Sequence, residues 1–577
     1  MRRTFGLVAV VLVSLLGLTA CFSIPMSGPV VDAGQTVPPN QGEGYSIVPR
    51  PPLPGASASD IVAGFLDAMQ ATPIQTKVAR EFLASSIASS WNPEHETITY
   101  ADKTPPRGDR TLTVTLSGAE HLDERGTWLG ALPEQRSTLT FPMVKEKGEW
   151  RIQTAPNALI VPQSWFQTRF AQQSIYFFDP TGRVLVPELV FVPTGTQLAT
   201  SLVQDIVAGP PRDLDGVVRS FVPSGLSAGL SVPIDADGVA QIDLTGDPGQ
   251  LSDHEITLLG AQFAWTLRQV PGIESFQVTI GDRQLQLPGG TDVISVASGQ
   301  QYDPAGYTAG GQIYGLDKGA VVVRDGRSFT PVQGPLGAEH AYRSTAVSVG
   351  SEWAAAVTLS GHSLDVAPLD TDGTVRRLVS GSSLLTPAWD VFGGLWTLDR
   401  THAGAVVSWT PVTDKAATKP VVLDVPGVTG EDVRSFLVAR DGSRLVADVR
   451  GSAGDTLVVS RIQRDDRGNV IGATGATTIS DFAVGARVEA LAWYSPTAVA
   501  ALQQLSDTSL VRTYSVDGAA SAASRLSLTV GDRLTALLGS PASNVPLYAI
   551  SDDDLIDLSG DVSQPLPKNI TSLGYVG

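Results

Sequence analysis

The N-terminal 21 residues constrain this chain most, because they combine a long apolar run with the only cysteine of the sequence. Two arginines precede the run, which ends at Leu18. A charged start, an apolar centre of about 14 residues and small residues before a cut are typical of a secretory signal peptide. The run is shorter than the roughly 20 helical residues that span a bilayer. We therefore predict a signal peptide over residues 1–20, cleaved between Ala20 and Cys21.

The tetrapeptide Leu18-Thr19-Ala20-Cys21 resembles the lipobox of bacterial lipoproteins. That resemblance implies a diacylglycerol thioether on the Cys21 sulfur and an acyl group on its amine after cleavage. A thiol is a soft nucleophile of the kind that such an alkylation needs. Two or three acyl chains anchor a protein stably where one does not. We expect the mature chain to be held by the lipid bilayer at the outer face of the cytoplasmic membrane. An ordinary signal peptide with a chance cysteine is the alternative.

Composition excludes some partners and favours a β-rich fold. The formal net charge of −18 repels nucleic acid, so no nucleic-acid binding is expected. With Cys21 acylated no disulfide is available, and folding must depend on hydrophobic cores, for which an apolar share of 42% is ample. The 58 glycines and 39 prolines indicate many turns.

Residues 21–58 are rich in proline and glycine and predict a tether. A Pro-rich segment is semi-extended at about 3 Å per residue, so this one reaches roughly 100 Å from the membrane. The alternative is that part of the arm packs on the folded body.

Residues 59–160 predict a small α+β domain. Ser59-Asp60 is a candidate cap for a first helix, and Thr72-Pro73 predicts the start of a second. Alternation at Thr111–Leu116 predicts a strand, and two more are expected at 137–144 and 149–154. Two helices followed by an antiparallel sheet resemble the cone-shaped fold of nuclear-transport-factor-2-like domains. Three tryptophans either line a pocket of such a cone or are core and rim aromatics: Trp91, Trp128 and Trp150.

Residues 171–290 carry several motifs in a recognisable order. Two strands, a helix over 197–207 and an alternating strand over Val239–Leu244 precede Ser252-Asp253-His254-Glu255, a capping box that opens a second helix. The order resembles the GerMN domain of sporulation and germination proteins. It is carried by Tyr176-Phe177, Gly209-Pro210, Val239-Ala240-Gln241-Ile242-Asp243-Leu244 and Gln262-Phe263-Ala264-Trp265-Thr266-Leu267. The resemblance implies a non-catalytic module for protein contacts.

Residues 312–577 contain degenerate repeats of short alternating strands. Ser351–Val357 is echoed by Ser443–Val449, and Ala388-Trp389 by Ala492-Trp493. A period of about 40–50 residues is blade length, so the span predicts a β-propeller of about six blades. The tripeptide Asp441-Gly442-Ser443 resembles blades of TolB-like propellers. A pair of β-sandwiches is the alternative, and residues 287–311 are either a linker or the first propeller strand.

The whole order resembles the LpqB lipoproteins of actinobacteria: lipobox, tether, two small α+β domains and an all-β propeller. The resemblance implies a multidomain accessory that binds the extracellular part of a two-component sensor histidine kinase of the MtrB type. The alternatives are a sensor of a cell-wall ligand and a hydrolase with its active site in the propeller channel.

The motifs that suggest catalysis or metal binding have better structural explanations, so we predict no enzyme, metal or cofactor. Gly225-Leu226-Ser227-Ala228-Gly229 matches a nucleophile elbow by letter, but Pro233 forbids the helix that must follow. Asp552-Asp553-Asp554 lacks the spacing of a calcium loop, and Asp465-Asp466 is expected at a hairpin tip. The histidines are scattered without zinc-ligand spacing: His95, His121, His254, His340, His362 and His402.

Overall fold

The structure is a computed structural model in which eight segments are described. They are residues 48–306, 310–338, 340–370, 373–413, 419–520, 526–543, 545–560 and 562–577. The predicted signal peptide, the predicted cleavage position at Ala20, the predicted acylation site Cys21 and most of the predicted tether lie outside the described residues.

The first domain packs a helix against two four-stranded sheets. Helix α1 (Ala58–Ala68) buries the expected apolar face, which includes Ile61, Phe65 and Leu66. Its cap differs from the prediction, because Ser57 and not Ser59 is the N-cap. The Ser57 hydroxyl accepts from the Asp60 N–H and the Asp60 carboxylate accepts from the Ser57 N–H. The box forms at Ser57 since the partner carboxylate must lie three residues on.

The second predicted helix is displaced and short. Helix α2 spans Lys77–Arg80 and does not begin at Thr72-Pro73. Phe82 and Leu83 are buried as expected, but the backbone there is no longer helical. The Ile152 N–H donates to the Phe82 carbonyl, and the Ala84 N–H donates to the Ile152 carbonyl. This pairing with the edge of a sheet ends the helix after one turn.

The two sheets of this domain have the orders β5-β4-β1-β8 and β2-β3-β6-β7. Strand β3 alternates exposed and buried residues as its sequence predicts. Helix α3 then leads directly into the next domain. The remaining elements are β1 (Thr97–Tyr100), β2 (Asp102–Lys103), β3 (Thr111–Ser117), β4 (Glu120–Leu122), β5 (Trp128–Ala131), β6 (Thr138–Glu146), β7 (Glu149–Ile152), β8 (Leu159–Pro162) and α3 (Gln163–Arg169).

The second domain begins with a long antiparallel hairpin and continues with the helices and strands that the GerMN resemblance implies. Strands β12 and β13 are parallel and are joined through helix α5. The capping box of Ser252 and Glu255 is present at the start of α5. The elements are β9 (Phe170–Phe178), β10 (Leu185–Pro193), α4 (Leu198–Ala208), β11 (Ser227–Ala228), β12 (Val239–Thr245), α5 (Asp253–Leu267), β13 (Ser275–Ile280), β14 (Arg283–Gln284) and β15 (Ile294–Ser295).

The segment after this sheet is a linker that stays on the second domain. Strand β15 pairs with β13, and the Trp265 indole N–H donates to the Gly299 carbonyl at 2.9 Å. The first propeller strand begins only at Ile313.

The remaining described residues form six four-stranded antiparallel sheets, which confirms the predicted propeller. Its ring closes through the C-terminal strand β39, which is the innermost strand of the first blade, in the order β18-β17-β16-β39. Joining the two ends of the chain in one blade closes the ring and completes the first blade to four strands.

Each later blade uses four consecutive strands. The propeller strands are β16 (Ile313–Asp317), β17 (Ala320–Asp325), β18 (Ser328–Pro331), β19 (Tyr342–Val347), β20 (Trp353–Thr358), β21 (Ser363–Pro368), β22 (Arg376–Ser380), β23 (Ala388–Trp389), β24 (Gly394–Thr401), β25 (Gly404–Pro411), β26 (Val421–Leu423), β27 (Val433–Val438), β28 (Arg444–Arg450), β29 (Asp455–Arg464), β30 (Val470–Asp481), β31 (Ala490–Ser495), β32 (Ala498–Leu505), β33 (Thr508–Ser515), β34 (Ser527–Val530), β35 (Ala536–Leu538), β36 (Tyr548–Ile550), β37 (Asp554–Asp557), β38 (Val562–Pro565) and β39 (Ile570–Tyr575).

Removal of the closing strand tests this seam. We expect a chain ending at Asn569 to lose the cooperative thermal unfolding of the propeller, because β16 loses its neighbour and the buried side chains of Ile570 and Tyr575 are removed. Differential scanning calorimetry measures the transition. Val562→Ala, at a half-exposed position on the outermost strand β38, is the control and should leave the transition nearly unchanged. An unaltered transition in the truncated chain would refute closure by β39.

Candidate functional site

The structure presents three places where polar or aromatic side chains gather: the boundary between the second domain and the propeller, a cavity where the domains meet, and the opposite end of the propeller. The first is centred on Glu188, which lies in the middle of strand β10. Arg461 donates to both of its carboxylate oxygens, at 2.8 and 2.7 Å, and Arg444 donates to one at 2.9 Å. The Arg444 side chain is only 1% exposed and that of Glu188 only 10%.

The turn between β27 and β28 holds Arg444 in place. The Ser443 hydroxyl donates to Asp441 at 2.6 Å, and Arg444 donates to the same hydroxyl and to the Pro187 carbonyl. Burial raises the pKa of Asp441 from its ordinary value, and the nearby charge of Arg444 partly opposes this. The Asp441-Gly442-Ser443 turn that the sequence flagged as a repeat motif is therefore the propeller's contact with the second domain.

Further hydrogen bonds join the second domain to the same end of the propeller. Gln172 of β9 donates to Asp517 at 2.8 Å, and Gln463 donates to the Asp215 carbonyl at 2.9 Å. These residues lie at turns between first and second or third and fourth strands of blades, which meet at the same end of a propeller.

The junction cavity, of about 330 Å³, lies between the first domain and the β9–β10 hairpin. An aromatic wall of four side chains forms one side: Trp128, Phe166, Phe170 and Phe191. The Phe166 and Phe170 rings stack with centroids 4.6 Å apart, and Phe191 lies 5.3 Å from Phe166. The other side is polar and carries Glu120 and several glutamines, of which Gln163 donates to Glu120 at 2.8 Å. Burial raises the pKa of Glu120.

The three tryptophans, for which the sequence left a pocket and a core or rim position as alternatives, have different roles. Trp128 lines the junction cavity. Trp91 is buried in the core of the first domain, where its indole N–H donates to the Pro156 carbonyl. Trp150 lies on strand β7, with the Lys145 ammonium 5.0 Å from its ring centroid, and does not line this cavity.

The opposite end of the propeller, here called the free end, consists of the turns between second and third strands and the loops between blades. A groove of about 610 Å³ lies there, and its lining includes Arg400, His402, Glu431 and Asp432. Nearby, Asp455 accepts from Arg487 at 2.8 Å.

Asp448 is a fully buried carboxylate near this end. Neither of its oxygens has a hydrogen-bond partner in the part of the chain that the structure describes. Burial raises its pKa to about 7, and the charge of Asp455 adds to the effect. Three guanidinium groups oppose the shift: Arg450, Arg434 and Arg487.

The other motifs examined in the sequence do not converge on one site. Ser227 lies in the short strand β11, with no helix after it. Asp465 accepts from the Asn469 backbone at a hairpin tip, and His254 is exposed in the first turn of α5. Within the described ranges, no group of three or more His, Cys, Asp or Glu side chains could hold a metal ion.

Comparisons with known proteins agree with this architecture. The family model for the lipoprotein LpqB N-terminal domain matches residues 51–167, and that for the lipoprotein LpqB beta-propeller domain matches 319–567. A model described as sporulation and spore germination matches 174–286. The two LpqB models together cover more than half of the chain. The chain belongs to the LpqB lipoprotein family.

Relatives in this family extend over nearly the whole chain. A lipoprotein LpqB of Cutibacterium acnes is 26% identical over 93% of each chain, and one of Streptomyces avermitilis is 26% identical over 100% of this chain and 99% of the relative. Among solved structures, the first GerMN domain of the sporulation protein GerM from Bacillus subtilis is similar at 19% identity, covering 22% of this chain and 97% of that one, with a TM-score of 0.18.

Membership in the LpqB family supports a lipoprotein, and the relatives are named as lipoproteins and not as enzymes. Over the described segments, no helix has the length and apolar character needed to cross a membrane. Cys21, the predicted site of the lipid anchor, precedes those segments.

Sequence reasoning missed Glu188 and the junction cavity. The sequence does contain a signal for Glu188, which lies between Pro187 and Leu189 inside an otherwise apolar strand. A charge buried in a sheet needs a partner. Its partners lie more than 250 positions away, and no local pattern points to them.

Loss of the Glu188 carboxylate tests the boundary. We expect Glu188→Ala to lower the free energy of unfolding by about 3–5 kcal/mol, because it breaks the buried ion pairs with Arg461 and Arg444 and leaves Arg444 with only the Asp441 carboxylate, at 3.9 Å. Urea unfolding followed by tryptophan fluorescence measures the effect. The control is Asp432→Ala, which removes a carboxylate that is 48% exposed and pairs with Arg434 at 2.7 Å. We expect it to cost less than about 1 kcal/mol. Equal costs for the two variants would contradict a special role of the buried set.

Replacement of Asp448 tests the buried carboxylate. An aspartate in an unfolded chain titrates near about 3.9, so the higher pKa of about 7 in the fold means that protonation favours the folded state. This stabilisation is complete below about pH 4 and is lost as the pH rises through about 7. We expect Asp448→Asn to gain stability relative to the native chain between pH 5 and pH 8, as measured by urea midpoints. Asp466→Asn, at an exposed turn, is the control, and its urea midpoint should depend on pH as that of the native chain does. If the midpoint of Asp448→Asn also ran parallel to the native midpoint over this pH range, the raised pKa of Asp448 would be refuted.

Proposed function

We propose that the protein is a lipid-anchored extracytoplasmic lipoprotein whose propeller docks onto the extracellular part of a membrane sensor histidine kinase of the MtrB type. The class of partner comes from the resemblance to the LpqB lipoproteins. The docking proposal is based on a difference between the two ends of the propeller. The second domain occupies one end through the buried Glu188 set, and the free end is left for another protein.

Large aliphatic side chains lie exposed at the free end. Leu359 in the β20–β21 turn is 65% exposed, Leu505 at the β32–β33 turn is 45% exposed, and Val484 in the loop before β31 is 88% exposed. A contiguous exposed apolar patch rimmed by polar residues marks a protein-binding surface, and we propose that these side chains contribute to one. These three positions come from different blades, so a single partner would contact several blades at once.

Charged side chains surround the same end with both signs. Arg400 is 35% exposed and lies 4.0 Å from Asp432. Charged groups of both signs around an interface determine which partner binds and in which orientation more than they raise its affinity. A protein surface with complementary charges fits this end better than nucleic acid, which the net charge of −18 repels.

Crosslinking followed by affinity capture from intact actinobacterial membranes tests the proposal. The native chain is compared with Cys21→Ala and with the double variant Val484→Asp/Leu505→Asp. The control is Val422→Asp, since Val422 is 68% exposed but lies on the outermost strand β26. We expect the native chain and the control to recover a sensor kinase, the double variant to recover at least fivefold less, and Cys21→Ala to leave the membrane fraction.

Two outcomes would contradict parts of this proposal separately. Recovery of no sensor kinase by a membrane-bound native chain removes the kinase partner and leaves the anchor. Equal recovery by the native chain and by the double variant removes the free end as the docking surface. Titration of the purified kinase ectodomain against the same variants then gives the affinities directly.

A further inference from the structure

The junction cavity has the construction of a small-molecule site. Its volume of about 330 Å³ is at the lower end of the range of such sites, about 300–1,000 Å³. Its lining comes from elements that are distant in sequence: β1, β4, β5 and helix α3 of the first domain, both strands of the β9–β10 hairpin, and Ala520 of the propeller. The occupant is therefore small, and it lies where the first domain, the second domain and the propeller meet.

The aromatic wall suits a flat ligand with an apolar face. Trp128 is only half-buried, and its ring centroid lies 6.0 Å from that of Phe191. The stacked pair of Phe166 and Phe170 continues this wall. Aromatic rings present a broad apolar surface with a partial negative charge on their faces, which attracts C–H groups. One face of a sugar ring is made of such C–H groups.

The polar side of the cavity suits hydroxyl and amide groups. Gln163, Gln167 and Gln173 each bring a carboxamide, which both donates and accepts hydrogen bonds. Glu120 adds a carboxylate, held by the Gln163 amide at 2.8 Å. A hydroxyl also donates and accepts, so carboxamides match a polyhydroxylated ligand better than they match a hydrocarbon. Burying carboxamides against a hydrocarbon would leave them unpaired, which costs free energy.

The charge of the described lining favours a neutral ligand over an anionic one. The described residues around this cavity include no lysine or arginine, and the one charged group among them is a carboxylate. An anion would enter without a counter-charge and beside Glu120. We infer that the junction cavity binds a neutral saccharide, of which one ring packs on Trp128 while its hydroxyl or N-acetyl groups contact Gln163 and Gln167.

Occupancy of this site would strengthen the contact between the first two domains. The N–H of Phe191, whose side chain belongs to the aromatic wall, donates to the Gly126 carbonyl at 2.8 Å. Gly126 permits this approach because its φ is +75° and a Cβ there would lie 2.1 Å from the Phe191 carbonyl oxygen. A ligand that touches both Trp128 and Phe191 holds this hydrogen bond closed. The inference is independent of the kinase proposal, since it concerns the purified protein alone.

Titration calorimetry and saturation-transfer NMR on the purified chain test the site with N,N′-diacetylchitobiose as the neutral saccharide. Glucuronate serves as the anionic counterpart and 1-decanol as the ligand with a long hydrocarbon chain. We expect the disaccharide to bind, Trp128→Ala to weaken it at least tenfold, and Gln167→Ala to weaken it severalfold. Gln167 is exposed, so its variant keeps the test valid if Trp128→Ala unfolds. Trp150→Ala, outside the cavity, is the matched control and should bind as the native chain does.

Hydrogen exchange gives a second readout, in which saturating disaccharide should slow the exchange of the Phe191 amide at least threefold. Absence of disaccharide binding by the folded native chain overturns the inference. Tighter binding of glucuronate or of 1-decanol than of the disaccharide overturns the ligand class. If neither Trp128→Ala nor Gln167→Ala weakens binding of the disaccharide, the inferred location in the junction cavity is overturned.

Discussion

The buried set of Glu188, Arg444 and Arg461 is the interaction on which the arrangement of the folded domains depends. A charge taken out of water needs a close counter-charge and further hydrogen bonds, and the geometry that satisfies it is narrow. The bidentate contact of Arg461 and the donation from Arg444 supply both. The set therefore favours one orientation of the second domain on the propeller, whereas a purely apolar contact would tolerate several.

This orientation has consequences at both ends of the molecule. It covers the propeller end formed by the turn at Asp441 and leaves the free end to the proposed partner. The same β9–β10 hairpin that carries Glu188 on one strand also supplies Phe170 and Phe191 to the junction cavity. One hairpin, with nine paired residues on each strand, thus carries both the propeller contact and part of the junction cavity.

Patterns of short range predicted much of the fold. The capping box at Ser252, the alternation in β3 and the strand-and-turn period of the propeller each depend on residues within a few positions, so they are visible in a sequence. The helix expected at Thr72-Pro73 was wrong because Phe82 and Leu83 pair with Ile152, which is about 70 positions away. The same limit applies to the three tryptophans, of which only Trp128 lines the cavity.

The sequence by itself determined the order of the modules, the prediction of an anchor at Cys21 and the count of blades, because signal peptides, caps and repeats are local patterns. Only the tertiary structure decided which propeller end is covered, which strand closes the ring and where aromatic and carboxamide groups meet. Those features depend on contacts between residues that are hundreds of positions apart, such as Glu188 with Arg461 and β16 with β39. Their partners are selected by packing and by the need to neutralise buried charge, and neither leaves a periodic trace in the chain.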